Sequence, residues 1–298
     1  MAKKALVVGV NDYSNWSAPV TISGSAFTAP SLRFCVADAT EFAAALRDGF
    51  LFDDVEILLD SQATSTDILD KLKQKLAASQ AGDVVCLFFS GHGGRIPEDP
   101  NNLSKRYYET IIPYDAAVIS SMQIASIVDS LEPSLVNFTL VFDSCNSGGM
   151  FLSPDSRSYI SDKSAIQTFV DNCQTIVPWI GLGDPSAIDQ NVGSIEMLAS
   201  GLCTMTVDTS KDTVSQAKAT LFSACDYSQE SAESSSIGHG YFTKAIIDTV
   251  NACNFEMSHP DFLAAVATKI ADQNQTPQLR GRPVRMQENF LAGWNYSI

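Results

Sequence analysis

Histidine, lysine and arginine are scarce in this chain, and long apolar runs are missing altogether. With 19 Lys and Arg against 34 Asp and Glu, the formal net charge is −15. That balance argues against nucleic-acid phosphates or an anionic membrane surface as partners. It favours basic ligands and aids solubility. No stretch of about 18 apolar residues occurs, so no membrane span is expected. The opening MAKKALVVGVNDYS carries two lysines, but its apolar part is too short for the core of a secretory leader, and none is expected. The seven cysteines (35, 86, 145, 173, 203, 225 and 253) include no C-x-x-C pair and suggest no disulfide framework. A reducing, cytoplasmic location is therefore expected. His239, His259 and the cysteines show no zinc-ligand spacing, whereas a hydrolytic zinc site needs three protein ligands. Neither a metal nor another cofactor is expected. Internal repeats, low-complexity tracts and coiled-coil heptads are missing as well.

What is present is the composition of an ordinary globular protein, 45% hydrophobic and 18% charged over 298 residues, long enough for a sizeable core. Apolar runs alternate with helical patterns, which predicts a layered α/β fold. KKALVVGV, DDVEILLD, DVVCLFFSGHGG, NFTLVFDSC and ATLFSAC read as strands. The continuous apolar run of DVVCLFF suits a parallel strand covered on both faces, and a mostly parallel central sheet with helices on both faces is expected. Helices are predicted from about Ser31 to Arg47, over TSTDILDKLKQKLAASQ with capping residues at its start, near MQIASIVDSL, and over GHGYFTKAIIDTVNAC and HPDFLAAVATKIADQ. ETIIPYD reads as a short strand or hairpin, and PQLRG as a last strand. Three regions follow: 1–150, a polar linker or insertion over 151–217 without sustained period, and 218–298. Regions 1–150 and 218–298 are expected to form one domain together.

Two strands end in small polar clusters, LFFSGHGG at His92 and LVFDSCNSGG at Cys145. In open parallel sheets reactive groups collect beyond the carboxyl ends of strands. If the two strands are neighbours, as short right-handed crossovers favour, both residues leave the same edge. Alone, Cys145 reads as packing, a metal ligand or a nucleophile, and a histidine in SGHGG as a loop residue. Together they suit catalysis: an imidazole near neutrality takes the thiol proton, the thiolate attacks a carbonyl, and the imidazolium protonates the leaving amine. Gly91, Gly93 and Gly94 leave room for a substrate backbone. The N–H groups of Gly93 and Cys145 are candidate oxyanion donors.

ALVVGVNDY, SGHGG, ETIIPYD, VFDSCNSG, LFSAC followed by Gln229 and Glu233, GHGYFTKAI and QTPQLRG occur in an order that resembles the caspase-fold cysteine peptidases, and most closely their metacaspase and orthocaspase branch. The matches span about 4–150 and 218–282. The resemblance implies a three-layer caspase-like fold, a p20-like region over 1–150 and a p10-like region over 218–298. It implies Cys145 as nucleophile and His92 as its partner. The caspase signature Q-A-C-x-G is replaced here by DSCNSG. By resemblance, Asp143 and Asp38 match carboxylates that hold an arginine or lysine at the cleavage position, Ser90 a polar contact at the pocket mouth, and Asp226 a further candidate. Two carboxylates around a guanidinium can give bidentate, charge-assisted bonds. Judged by residue type alone, Asp38 reads equally as an exposed helix-face acid and Asp143 as a turn former.

The sequence also departs from the family. Calcium-binding aspartates of many metacaspases are replaced by Tyr108 and Ser120-Ser121, and Asn146 follows the nucleophile where histidine is common. Because Ca²⁺ wants several hard oxygen ligands, calcium independence is expected. The insertion within 11–30 is longer than usual for the family. The 151–217 segment falls where the family's large and small regions join, which makes Arg157, Lys163, Lys211 and Lys218 candidate self-cleavage points. The expected partners are peptides or proteins with Arg or Lys at the cleavage position, with no nucleic acid and no membrane, and the expected state is a monomer. The competing reading is a catalytically silent caspase-like scaffold.

Overall fold

The computed structural model describes residues 1–14, 20–22, 25–27, 31–97, 107–115, 117, 119–120, 123–124, 127, 136–144, 219–225, 231–252, 257–273, 275–280 and 288–292. In chain order its elements are β1 (Lys3–Gly9), β2 (Val20–Ile22), β3 (Ser25–Phe27), α1 (Cys35–Asp48), β4 (Asp54–Leu59), α2 (Ser65–Ala77), β5 (Val84–Ser90), β6 (Gly93–Pro97), β7 (Tyr107–Ile111), β8 (Ile119–Ser120), β9 (Asn137–Asp143), β10 (Ala219–Ser223), β11 (Glu233–Ser234), β12 (His239–Gly240), α3 (Tyr241–Ala252), α4 (His259–Lys269) and β13 (Gln278–Arg280). The expected helix near MQIASIVDSL is described only at Gln123, Ile124 and Ile127, each helical.

Six strands form the central sheet in the order β4-β1-β5-β9-β10-β13. All neighbours run parallel except β13, which is antiparallel to β10. Strand β9 belongs to the expected 1–150 region and β10 to the 218–298 region, and the two pair directly. β1 has neighbours on both sides, so the chain leaves it toward β4 and then crosses back to β5. Such a reversal leaves a crevice at the carboxyl ends of the strands.

Alternation sorts the strand side chains into two cores. On one face Ala5, Val7, Val84, Cys86 and Phe88 meet Phe42 and Leu46 of α1, Phe242 and Ile246 of α3, and Phe262 and Val266 of α4. On the other, Leu6, Val8, Val85, Leu87 and Phe89 meet Ile68, Leu69, Leu72 and Leu76 of α2. A strand buried on both faces has no solvent side to mark with polar residues, which is why ALVVG of β1 and VVCLFF of β5 read as unbroken apolar runs. α2 starts as its sequence requires, with the Asp67 N–H donating to the Thr64 hydroxyl at 3.1 Å.

Two expected helices start later than their pattern suggests. The helix predicted from Ser31 begins at Cys35, after Phe34, whose backbone at φ −121° lies outside the helical range. Leu32 donates to the Asn11 carbonyl, and Arg33 and Phe34 donate to the Glu233 carboxylate at 3.1 Å each. The helix predicted from Gly238 begins at Tyr241. His239 and Gly240 instead form β12, paired antiparallel with β11. The turn between them uses Gly238 at φ +73°, a left-handed conformation open to glycine at little cost. Strand β5 ends at Ser90 rather than continuing through SGHGG, and the chain restarts as β6 in a separate β6-β7-β8 sheet. ETIIPYD lies in that sheet's β7 and its exit.

Phe88 anchors the first core, stacked on Phe42 with ring centroids 4.3 Å apart. Phe88→Ala is expected to lower stability by about 3–5 kcal/mol, measured by urea unfolding. A loss under about 1 kcal/mol would show that this face is not tightly packed.

Candidate active site

The register of the parallel strands sets the site. Gly9 of β1 pairs with Ser90 of β5, and Ser90 pairs with Asp143 of β9, so three strand ends stand level. His92 comes two residues after Ser90, and Ser144 directly after Asp143. Cys145 follows Ser144 in sequence and lies outside the described residues.

His92 is buried, its ring centroid 4.5 Å from that of Tyr13. The His92 N–H donates to the Tyr13 hydroxyl (2.8 Å), which donates to the Ile112 carbonyl (3.0 Å). The Ile112 N–H in turn donates to the His92 carbonyl at 3.0 Å. One hydroxyl thus stands in for half of a bonded antiparallel pair. Bonded pairs alternate with non-bonded ones along such a ladder. Gly93, opposite Ile111, takes the non-bonded position, and its N–H points away from β7. Gly91 has no room for a side chain: a Cβ there would stand 2.6 Å from the Tyr13 hydroxyl and 2.8 Å from the Phe89 ring.

Beside these strand ends lie two buried carboxylates, Asp38 at 1% exposure and Asp143 at 5%. α1 aims Asp38 inward from its first turn, which removes the exposed helix-face alternative. Asp38 Oδ2 accepts from the Ser90 hydroxyl (2.9 Å), and Oδ1 accepts from the Gly240 N–H (3.1 Å). His239 Nδ1 lies 2.9 Å from Oδ1, and its Nε2 lies 2.7 Å from Glu41 Oε2. Asp143 Oδ1 accepts from the Ser231 hydroxyl (2.5 Å), while Oδ2 accepts from the Thr243 hydroxyl (2.7 Å) and N–H (3.0 Å). Gly240 sits between the two carboxylates. A Cβ there would come within 2.5 Å of Asp143 Oδ2 and 3.1 Å of Asp38 Oδ2.

Burial, reinforced by the Asp143 charge, pushes the Asp38 carboxyl up to about 8, against the pull of the Ser90 and Gly240 bonds. Burial also raises Asp143, opposed by its bonds from Ser231 and Thr243 and aided by Glu233. Cys35 lies in the same group, its thiol raised first by burial and then by the nearby acids. Among the described residues no three of His, Cys, Asp and Glu are grouped to hold a metal ion.

Of the residues predicted from sequence, the structure brings Asp38, Ser90, Asp143, His92 and Gly93 to one edge of the sheet. Asp226 and the candidate cut points Arg157, Lys163, Lys211 and Lys218 lie outside the described residues. Sequence reasoning missed Tyr13, Cys35, Ser231, His239, Gly240 and Thr243. NDY and FCVAD placed Tyr13 and Cys35 inside motifs, but no local signal marked Ser231 or Thr243, which reach Asp143 across 88 and 100 positions.

A sequence profile described as the caspase domain matches residues 2–287. Metacaspase-8 of Arabidopsis thaliana is 34% identical over 163 residues, covering 50% of this chain and 38% of that protein. Metacaspase-1B of Aspergillus oryzae is 26% identical over 296 residues, covering 93% of this chain and 67% of that protein. The chain therefore spans well under half the length of the plant relative. A crystal structure of a Geobacter sulfurreducens protein superposes with a TM-score of 0.67 at 21% identity, covering 99% of this chain and 100% of that one. That likeness concerns the fold. No helix among the described residues is long and apolar enough to cross a membrane.

The raised Asp38 carboxyl links stability to pH. The folded state keeps a proton that the unfolded chain gives up, so this contribution is complete below about pH 4 and is lost as pH rises through about 8. The urea midpoint of the native chain is expected to fall further between about pH 5 and about pH 9 than that of Asp38→Asn. Equal falls in the two proteins would remove Asp38 as the cause.

Proposed function

The chain belongs to the caspase-domain family, and on that premise we propose that it is a cysteine endopeptidase domain cleaving peptide bonds after Arg or Lys, with Cys145 as nucleophile and His92 as its acid–base partner. The observation that carries this reading is the pairing of Ser90 with Asp143. It sets level the strand end that precedes His92 and the one that leads into Cys145. The imidazole takes the thiol proton, and the thiolate attacks the substrate carbonyl. The imidazolium then protonates the departing amine, and water completes hydrolysis of the acyl-enzyme through the same histidine. The Gly93 N–H, directed away from β7, and the Cys145 N–H would receive the oxyanion.

The paired carboxylates support the choice of a basic side chain. Two buried acids repel a substrate aspartate and attract a cation. The Ser90, Ser231 and Thr243 hydroxyls that now satisfy them can turn their protons aside when a guanidinium supplies its own donors. A second reading, a catalytically silent binding scaffold, draws on the same fact that the protein's own donors already occupy both carboxylates.

One assay separates these readings. A fluorogenic peptide with Arg at the cleavage position is expected to be cut, and its Asp counterpart is not. Cys145→Ala and His92→Ala should each lower kcat/KM at least about 1,000-fold. No cleavage of either peptide favours the scaffold, and preference for Asp removes the basic pocket.

Calcium is not part of this mechanism, since Tyr108 and Ser120-Ser121 occupy the places where the family's calcium-binding aspartates would stand. Cleavage of the arginyl peptide is expected to persist in EDTA. Loss of activity in EDTA, restored by added Ca²⁺, would overturn this point.

A further inference from the structure

Between the end of β5 at Ser90 and the start of β6 at Gly93 the chain passes from one sheet into another, and His92 lies in that passage. A residue between two ladders needs other partners for its backbone groups. Ser90 and Gly91 still bond to neighbours of the central sheet. The Ser90 carbonyl accepts from the Val10 N–H at 3.0 Å, and the Gly91 N–H donates to the Asp143 carbonyl at 3.3 Å. One residue later a side chain takes over. The Tyr13 hydroxyl accepts from the His92 N–H and donates to the Ile112 carbonyl, so it spans the gap between the sheets.

The same residue also touches the imidazole. The Tyr13 and His92 rings are both buried and meet at an interplanar angle of 55°, a tilted contact of the kind aromatic pairs favour. Tyr13 therefore meets His92 twice, by a bond to its backbone and by packing against its ring. Gly91 is the residue whose missing side chain lets the hydroxyl reach that position. The loop that carries Tyr13 is itself tied down. Asp60 Oδ1 accepts from the Asn11 N–H (2.7 Å) and the Asp12 N–H (2.9 Å). Asn11 is joined to the start of α1, its Oδ1 accepting from the Val36 N–H at 3.2 Å. A side chain can orient another only if its own support is fixed, and here the support is the exit of β4 and the first turn of α1.

Resting on the reading of His92 as the acid–base partner of Cys145, we propose that Tyr13 is a positioning residue for catalysis: its hydroxyl and ring together hold the His92 imidazole in its working orientation across the gap between the two sheets. Tyr13 exchanges no proton with substrate and acts only through His92. Its contribution is to geometry, where a misplacement of about 1 Å costs on the order of a hundredfold in rate. Binding of a basic side chain makes no use of it, because the donors to Asp38 and Asp143 come from Ser90, Gly240, Ser231 and Thr243. The effect of losing the hydroxyl therefore belongs to kcat.

Tyr13→Phe keeps the ring and removes both bonds of the hydroxyl. On the arginyl fluorogenic peptide its kcat is expected to fall about 10–100-fold, with KM within about twofold of the native value. Unchanged kcat, or a loss confined to KM, overturns the proposal and leaves the peptidase reading standing. General damage to the fold would also lower kcat, so a second arm places Tyr13→Phe in the His92→Ala background, read as single turnovers with enzyme in excess. A residue that acts only through His92 adds nothing once the imidazole is gone, and the double variant should match His92→Ala within about twofold. Losses that multiply overturn the proposal. Native-level cleavage by His92→Ala, or no cleavage by the native chain, removes the peptidase reading and the proposal together.

Should Tyr13→Phe fail to fold, Tyr13→p-aminophenylalanine keeps the ring and a donor for the Ile112 carbonyl, while its nitrogen is a poor acceptor for the His92 N–H. A fall in kcat of at least about threefold is expected from the loss of that one bond. Native kcat in this variant overturns the proposal.

Discussion

Asp38 and Asp143 stand side by side out of water, and much of the surrounding chain serves to make that placement possible. A buried carboxylate without partners is too costly to keep ionised. Here each one collects hydroxyl and N–H donors from distant parts of the chain: Ser90 from β5, Ser231 from the segment before β11, Gly240 from β12 and Thr243 from α3. These bonds lower the cost without cancelling it, because both groups remain raised. What results is a site with its donors in place and its negative charge only partly compensated.

The sheet explains why the acids meet at this point. Ser90 and Asp143 are register partners at the ends of adjacent parallel strands, so their side chains leave the same edge. α1 lies across β1, whose Gly9 makes the close approach possible: a Cβ there would meet the Cys35 carbonyl oxygen at 2.4 Å. That contact brings the first turn of α1, and Asp38 with it, down over the strand ends. His92, two residues beyond β5, is held at its N–H by the Tyr13 hydroxyl and at its carbonyl by the Ile112 N–H. The reactive edge is therefore built from rigid strand ends, with the histidine's backbone tied to Tyr13 and Ile112.

Much of the fold was legible in the sequence because strands covered on both faces print unbroken apolar runs. β1 and β5 were readable for that reason, and α2 from its capping threonine. The site was half legible. His92, Ser90 and Asp143 sit at strand ends, where small polar clusters stand out against apolar neighbours. The resemblance supplied Asp38, which residue type alone could not place inside. His239 and Gly240 were read as the start of a helix, since GYFTKAII carries a helical period. Nothing local reveals that Asp38, 202 positions earlier, accepts from the Gly240 N–H. Ser231 and Thr243 are small polar residues of a kind found in any loop, and their partner lies outside any sequence window.

The link from Glu233 to the N–H groups of Arg33 and Phe34 spans 200 positions, and it dictates an order of assembly. A chain emerging from the ribosome presents its amino end first. The leading end of α1 then has no carboxylate to cap it, and Asp38 and Asp143 remain hydrated. Neither acid can leave water until the segment from Ser231 to Thr243 has been synthesised and laid across them. The acidic site thus closes only after that segment has emerged, and a nascent chain that has not reached it is without the site.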